Sequence, residues 1–421
     1  MRNAVLLGSL SLVMLCVWLS AVAPAIGHDR PAPVPLGGGL LDNETSDSRP
    51  TDLEATLRAL AQRRLAEAGP GGLVVAAVYG GRSEVVGLGD SGRPDGQPPD
   101  GQTLFQIASL TKPFTGTILA ELTRAGQLSP TDPLHWHLPR KVQAPDYEGW
   151  PIRLVDLATH TAGLPNVPET PRFSWSRLDD PSNPYKPLSR EELSDWLSAY
   201  MLPVPPGLRF RYSNAGMAVL GEALASASGT SYEQLLKRIV TDRYGLKDTT
   251  LHLTAEQRAR KASGYARGGT VPDWEAPAMQ PSFGLYSTAD DMLRWLRVNL
   301  GDCTVAPACD EPSLATLALA QSVQVDGRSL RDPGTLGHGA MALGWFVAWA
   351  ADGTPILWHS GSTGGFNAYM ALSRAHGWAA VALTNSDPDR VIADRLVGDL
   401  IREFEGGMES RQVVVRHSVT R

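Results

Sequence analysis

The feature that most restricts the fold of this sequence is a series of four apolar segments near its C-terminal end, joined by short connections. Strands are predicted over 344–350, 355–359, 366–373 and 378–384. Asp352-Gly353, a glycine-rich turn over 360–365 and His376-Gly377 separate them. Connections this short join antiparallel neighbours, because a parallel pair needs a crossover of about a dozen residues or more. The sequence therefore predicts an antiparallel sheet.

An earlier hairpin and two terminal helices are predicted to complete this sheet. The hairpin covers 73–88 and turns at Gly80-Gly81. A helix over 52–68, capped by Thr51, precedes the hairpin, and a last helix over 389–405 follows the late strands. The predicted fold class is α+β, with an antiparallel β-sheet flanked by the N- and C-terminal helices.

The middle of the chain is predicted to form a mostly helical lobe, over about 109–269, inserted into the sheet lobe. The sheet lobe then comprises about 51–108 and 270–405. The helical lobe has helical patterns over 154–158, 191–200, 215–228 and 231–244, and a Pro-rich excursion over 165–187. A cleft between two lobes is a usual position for a functional site.

The two ends of the chain are predicted to lie outside this domain. An apolar run over 4–19 follows a short basic start, and small residues at 21–25 make the whole segment typical of a secretory signal peptide, over 1–25. An uncleaved membrane anchor is the alternative. Residues 26–50 are predicted to be a flexible leader and 406–421 a flexible tail. We therefore expect a periplasmic or secreted protein without a stable membrane span after cleavage.

The composition excludes several classes of function. The 421 residues carry a net charge of −6 without a basic tract, so nucleic acid is not an expected partner.

Beyond the leader, Cys303 and Cys309 either close a small loop as a disulfide or remain two free thiols. The H-x-H pair, His135 and His137, lacks a nearby acidic ligand, so no metal site is predicted. A monomer is expected.

The candidate chemistry begins at Ser109 and Lys112, an S-x-x-K sequence where an extended segment turns into a helix. Pro113 is tolerated only in a first helical turn, so the helix is predicted to begin at Ser109 or Leu110 and to end before Gly126. Serine and lysine then share one face of the helix. A lysine with a lowered pKa can remove the serine proton and so activate a nucleophile. In isolation, however, this pattern more often marks a helix cap beside a solvated lysine.

Two further motifs supply possible partners for this serine. Tyr212-Ser213-Asn214 contains a phenol that a nearby ammonium would acidify for proton transfer, and an amide suited to an amide substrate. The segment from His359 to Ser362 follows a predicted strand, where backbone N–H groups can face a substrate. Taken singly, each motif also fits a capped loop or a glycine-rich turn.

Together, S-L-T-K, Y-S-N and H-S-G resemble the serine β-lactamase and penicillin-binding protein superfamily, specifically its class C β-lactamase and D-Ala-D-Ala carboxypeptidase branch. The similarity covers most of the chain, from about 52 to 404. The resemblance implies that Ser109 is the acylated nucleophile and that Lys112 and Tyr212 transfer its proton. It further implies substrate binding by Asn214, His359, Ser360, Gly361 and Ser362, with the N–H groups of Ser109 and Ser362 holding the oxyanion.

The reaction implied by this resemblance is hydrolysis of a β-lactam or a D-alanyl peptide through an acyl-serine intermediate, with no cofactor. The substrate is then a small molecule or a peptidoglycan peptide. His359 stands where β-lactamases have a lysine, and a neutral imidazole carries no charge, so high β-lactamase efficiency is not expected. Two alternatives remain open: an esterase for small esters on the same fold, and a slowly deacylating penicillin-binding or sensor protein.

Overall fold

The computed structural model describes residues 52–170, 183, 185–186, 188–306 and 308–406. The predicted signal peptide, the leader, nearly all of the tail and much of the 165–187 excursion lie outside these ranges. None of the helices in the described part of the chain is long and apolar enough to cross a bilayer.

The largest sheet in the described chain is antiparallel throughout and has eight strands. The strands of the structure, in chain order, are β1 (Gly72–Tyr79), β2 (Arg82–Gly89), β3 (Phe105–Gln106), β4 (Asp146–Tyr147), β5 (Trp150–Pro151), β6 (Gly264–Ala266), β7 (Gly269–Val271), β8 (Tyr286–Ser287), β9 (Val325–Asp326), β10 (Ala340–Met341), β11 (Phe346–Trp349), β12 (Pro355–Ser362), β13 (Asn367–Ser373) and β14 (Trp378–Thr384). The large sheet has the order β2-β1-β14-β13-β12-β11-β10-β9, and each of its pairs is antiparallel. The early hairpin thus joins the sheet of the late strands, as predicted, and it does so through the pairing of β1 with β14.

Helices account for much of the remaining described chain. They are α1 (Leu53–Ala68), α2 (Thr111–Arg124), α3 (Leu154–Ala158), α4 (Arg190–Ala199), α5 (Asn214–Ser228), α6 (Tyr232–Leu236), α7 (Asp242–Tyr244), α8 (Ala255–Ala259), α9 (Gln280–Phe283), α10 (Ala289–Leu300), α11 (Glu311–Gln321) and α12 (Ile392–Phe404). A 3₁₀ turn over Ala108–Leu110 leads directly into α2, and a π-helical segment over Lys237–Thr241 joins α6 to α7.

The sheet separates two apolar cores. Val75 and Ala77 of β1 pack into the core that contains α1 and α12, whereas Val74 and Ala76 pack into the core on the helical side, which includes Trp295 of α10. Because β1 and its neighbours are buried on both faces, their sequences read as continuous apolar runs rather than as alternating ones. These layers confirm the predicted α+β class, with the sheet flanked by the terminal helices.

Several local predictions differ from the structure. Asp52 rather than Thr51 caps α1, because its carboxylate accepts the N–H of Ala55 at 3.1 Å. The helix predicted over 231–244 is interrupted by the π-helical segment. The predicted lobe boundaries remain a prediction.

Cys303 and Cys309 form a disulfide in the loop between α10 and α11. Their Cα atoms are 5.2 Å apart, and the bridge spans a sequence separation of 6 residues. The structure therefore decides between the two readings of these cysteines in favour of the bridge. Because the loop is short, the bridge restricts the unfolded chain less than a long-range bridge would.

The contact that positions the candidate site is the passage of β12 along the start of α2. An added Cβ at Gly361 would lie 2.7 Å from the carbonyl oxygen of Ile107 and 2.8 Å from the backbone nitrogen of Ser109. A side chain cannot occupy that space, so glycine permits the close approach of the two backbones. The H-S-G segment is thereby held against the S-x-x-K segment.

Candidate active site

Ser109 lies in the 3₁₀ turn just before α2. The sequence predicts a helix that begins at Ser109 or Leu110, but the α-helix begins at Thr111 and both residues belong to the turn. Ala108 has a φ of 48°, a region that non-glycine residues seldom adopt. Ala108 and Leu110 are buried while Ser109 is partly exposed. The backbone therefore presents one hydroxyl at the surface of a closely packed core.

Lys112 is buried, and its ammonium nitrogen contacts three oxygen atoms. Nζ lies 2.8 Å from Ser109 Oγ and 2.7 Å from Asn214 Oδ1. The third contact is the carbonyl oxygen of Ser282 at 2.9 Å. Burial lowers the pKa of Lys112 well below the ordinary value for lysine, because the charged form loses its hydration. The site therefore favours the neutral amine.

The hydroxyl of Tyr212 donates to Ser109 Oγ at 2.9 Å, and Lys112 Nζ lies 4.9 Å from the centre of its ring. The sequence interpretation, that a nearby ammonium acidifies this phenol, is wrong for the structure. Burial raises the pKa of Tyr212, and the hydrogen bond to Ser109 offsets only part of that effect. The phenol is therefore a neutral donor to the serine oxygen.

Asn214 is the first residue of α5, and Ser213 caps the helix by accepting the N–H of Gly216 at 2.8 Å. The Asn214 Oδ1 accepts from Lys112 and, at 2.8 Å, from the hydroxyl of Ser282. Its Nδ2 donates to Asn166 Oδ1 at 2.9 Å. Both ends of the amide thus have protein partners, so its direct effect is to orient Lys112. Its contact with a substrate amide stays a prediction.

The H-S-G segment lies within β12, which continues to Ser362 rather than ending at His359. His359 and Gly361 alternate onto the face towards α2, whereas Ser360 pairs with Tyr369, whose side chain belongs to the core of the terminal helices. The buried His359 ring is centred 6.5 Å from that of Tyr212. Ser362 is exposed. The structure thus brings Gly361 against Ser109 and His359 near Tyr212, and the alternation of the strand assigns the Ser360 side chain to the other face.

Sequence reasoning missed three residues that organise the site. The Ser282 carbonyl accepts from Lys112, Asn166 holds the amide of Asn214, and the His160 ring is centred 4.4 Å from that of Tyr212. A backbone carbonyl leaves no mark in a sequence pattern, so Ser282 gave no signal. His160 and Asn166 lie in and just after the loop T-H-T-A-G-L-P, whose dense small and polar residues were the available signal.

The statement that the H-x-H pair has no acidic neighbour is also wrong. His137 Nε2 lies 2.9 Å from Asp132 Oδ2, and the same carboxylate accepts the N–H of Ser129 at 2.8 Å. Asp132 thus stabilises a turn. Within the described ranges, no group of three or more His, Cys, Asp or Glu side chains is arranged to hold a metal ion.

Comparison with known proteins supports the same family as the three sequence motifs. The family model for β-lactamases matches residues 57–401. The chain is 32% identical over 349 residues to the D-alanyl-D-alanine-carboxypeptidase/endopeptidase AmpH of Escherichia coli (strain K12), covering 80% of this chain and 86% of that protein.

Solved structures with a similar fold support the same family. The β-lactamase/D-alanine carboxypeptidase from Yersinia pestis, complexed with citrate, has a TM-score of 0.70 at 27% identity and covers 84% of this chain and 99% of its own. A class C β-lactamase from Rhodobacter sphaeroides has a TM-score of 0.67 at 25% identity, covering 82% and 99%. The chain belongs to the β-lactamase family of serine hydrolases, in the branch of class C β-lactamases and D-alanine carboxypeptidases.

Proposed function

We propose that this chain is an exported hydrolase that acts through an acyl-Ser109 intermediate on D-alanyl peptides or β-lactams. The observation that carries the proposal is the convergence of two groups on one oxygen. Lys112 Nζ and the Tyr212 hydroxyl lie 2.8 and 2.9 Å from Ser109 Oγ. A serine becomes a nucleophile when a base within hydrogen-bonding distance takes its proton.

The hydrogen bonds around Nζ support Lys112 as that base. The Ser282 carbonyl oxygen and the Asn214 Oδ1 can only accept, so each takes one N–H from the amine. A neutral amine has two N–H groups and one lone pair, which leaves the lone pair for the hydroxyl proton of Ser109. Burial favours this neutral form. Lys112 then takes the proton while Ser109 Oγ forms its bond to the substrate carbonyl carbon.

Tyr212 completes the proton path. Its neutral hydroxyl donates to Ser109 Oγ before attack. As the C–N bond of the substrate breaks, the proton taken from the serine must reach the leaving nitrogen, and Tyr212 relays it from Lys112 by giving up one proton and receiving another. Water then attacks the ester, and the same groups act in reverse to release the acid and regenerate Ser109.

The backbone N–H groups of Ser109 and Ser362 are the proposed oxyanion hole. The close approach of Gly361 to Ser109 supports this role, since it brings the end of β12 against the turn that carries the serine. Two fixed N–H donors stabilise the negative oxygen of a tetrahedral intermediate without reorganising during the reaction. Neither donor requires a particular side chain, so the role depends on backbone position alone.

Two observations favour a D-alanyl peptide over a β-lactam as the better substrate. The Escherichia coli relative, at 32% identity, is named a D-alanyl-D-alanine-carboxypeptidase/endopeptidase. His359 also stands in place of the lysine that β-lactamases use beside the substrate carboxylate. Export is supported by the N-terminal segment with its small residues at 21–25.

The test compares purified protein and its Ser109→Ala variant on four probes: a fluorescent penicillin, a chromogenic cephalosporin, a D-Ala-D-Ala peptide and p-nitrophenyl acetate. We expect stoichiometric penicillin labelling, turnover of the peptide, and loss of both in Ser109→Ala. Labelling without turnover would indicate the slowly deacylating protein, and turnover of the acetate alone would indicate the esterase. Labelling that persists in Ser109→Ala would contradict the proposal. N-terminal sequencing of the exported protein should begin after Ala23 or Ala25.

A further inference from the structure

Beside Tyr212 lies a buried histidine that the proposed proton path does not use. His160 follows α3, is 1% exposed and has a φ of 58°. A non-glycine residue in the left-handed region is strained and persists only where its surroundings over-determine it. The contacts of His160 show which interactions hold its backbone in this conformation.

His160 accepts hydrogen bonds from the backbone N–H groups of the two residues next to Tyr212. Its carbonyl oxygen accepts the N–H of Arg211 at 2.8 Å, and its Nδ1 accepts the N–H of Ser213 at 3.2 Å. Its ring is centred 4.4 Å from the Tyr212 ring, tilted by 43°, and 6.0 Å from the ring of Phe210. One residue therefore restrains the backbone on either side of the tyrosine and one side of its ring.

The hydrogen bond from Ser213 also settles the protonation of the imidazole. An N–H that points at Nδ1 requires a lone pair there, so the ring proton sits on Nε2, which is buried. Burial, and next the nearby charge of Lys112, lower the pKa of His160 well below its ordinary value. A protonated ring would place two donors against each other and break the contact with Ser213.

The rest of the loop supports the same region of chain. The carbonyl oxygen of Pro165 accepts the hydroxyl of Ser213 at 2.6 Å, and Asn166 binds Asn214. These neighbours hold the residues after Tyr212, whereas His160 binds the N–H groups of both Arg211 and Ser213, one on each side of the tyrosine. The separate task of His160 is thus the placement of the tyrosine itself.

We propose that His160 is a positioning residue, which keeps the Tyr212 hydroxyl on Ser109 by accepting the Ser213 N–H and packing on the tyrosine ring. The inference rests on the proposed acyl-serine function, in which Tyr212 relays the proton. It predicts that His160 acts through Tyr212 and does not itself exchange protons with substrate. An Asn side chain, which tolerates the left-handed region and offers Oδ1 near the position of Nδ1, should replace it in part.

The kinetic test compares His160→Asn with His160→Leu, which lacks the acceptor. We expect His160→Leu to lower kcat for the peptide by about 100-fold with little change in KM, and His160→Asn to stay within about tenfold of the parent. In a Tyr212→Phe background, His160→Leu should cause little further loss, because it acts through the missing hydroxyl. Equal losses in both variants, or the full additional loss in Tyr212→Phe, would show a merely structural role.

An independent measurement does not depend on activity. In protein labelled with ¹⁵N-histidine, the His160 signal, assigned by its absence in His160→Asn, should be that of the neutral Nε2–H form between about pH 5 and pH 8. A signal that titrates in this range, or an Nδ1–H form, would overturn the inference. If instead no probe acylates Ser109 while this signal is as expected, the proposed function fails and the geometry at His160 stands.

Discussion

The strand β12 has opposite electrostatic environments at its two ends. Its last residues meet Ser109, near the buried amine of Lys112. Its first residue follows a turn that holds Asp352, which lies beside His376 and, beyond it, Glu405 at the end of α12. A basic side chain lies at each end, but the two differ in their exposure to water and in the charge of the groups around them.

At the outer end, the imidazole of His376 lies between two carboxylates. Its Nε2 is 2.9 Å from Asp352 and its Nδ1 is 2.8 Å from Glu405. The hydrogen bond to Glu405 raises the pKa of His376, and this effect exceeds the lowering caused by burial. Hydrogen bonds from the N–H and hydroxyl of Thr354, and next the contact with His376, lower the pKa of Asp352 to about 2.

At the inner end, burial dominates and the direction reverses. The pKa values of Lys112 and His160 both fall because desolvation disfavours their charged forms. The contacts that Lys112 makes are with neutral oxygens, which orient the amine without holding a positive charge. Exclusion of water and carboxylates therefore favours the neutral amine that the proposed role of Lys112 requires, whereas carboxylates favour the charged form of His376.

The largest expected effect comes from restoring a fixed charge at the inner end. Lys112→Arg should lower kcat about as much as Lys112→Ala, on the order of 10²–10⁴-fold, because arginine stays protonated and cannot act as a base. Steady-state kinetics on the peptide or the penicillin measures this. The matched control is Lys261→Arg, since Lys261 pairs with Asp273 at 2.9 Å and makes no contact with Ser109. Near-normal turnover by Lys112→Arg would mean that Lys112 serves only as a charge.

A smaller loss is expected when the contact between β12 and the serine turn is forced apart. Gly361→Ala should lower kcat by about 100-fold and destabilise the fold by about 1–3 kcal/mol, because its Cβ would lie within 2.8 Å of two backbone atoms. Gly398→Ala in α12 is the control, since an added Cβ there meets nothing within 4 Å. That variant should gain about 0.5–1 kcal/mol by denaturant unfolding. A fully active Gly361→Ala would remove the argument from close approach.

His359→Lys should place a charge at the inner end, beside the proposed position of the substrate carboxylate. We expect the ratio of kcat/KM for a carboxylate-bearing β-lactam to that for a neutral ester to rise about tenfold, since a charge-assisted hydrogen bond replaces a neutral one. The ratio cancels changes common to both substrates. An unchanged ratio would show that His359 does not face the substrate carboxylate.

The smallest effect is expected at the outer end. The raised pKa of His376 means that its contribution to stability is complete below its unfolded value near 6.5 and is lost as pH rises through the higher folded value. The lowered pKa of Asp352 gives a contribution that is present above 3.8 and lost as pH falls towards 2. His376→Gln should therefore lower Tm near pH 5, where the imidazole is charged, and lower it less at pH 9. The expected decrease near pH 5 is only about 1–3 °C, because solvent screens the cluster. A loss that is equal at both pH values would show that charge is not involved.

Local patterns predicted much of the fold and part of the site. The short connections between late strands required antiparallel pairing, and the structure has it for β11 to β14. The spacing of Ser109 and Lys112, three residues apart at the start of a helix, placed both on one face, and they lie in contact even though the α-helix begins later than predicted. Such features depend on steric rules that act over a few residues.

The motifs and their order, by themselves, determined the family, the antiparallel sheet and the candidate residues from Ser109 to Ser362, because these depend on residue type and spacing. Only the tertiary structure decided the protonation of the site. The burial of Lys112 and Tyr212, the carbonyl of Ser282 and the hold of His160 on both sides of Tyr212 arise from segments far apart in the chain. The pKa of a side chain depends on the water and charge around it, and that environment exists only once those segments have packed together.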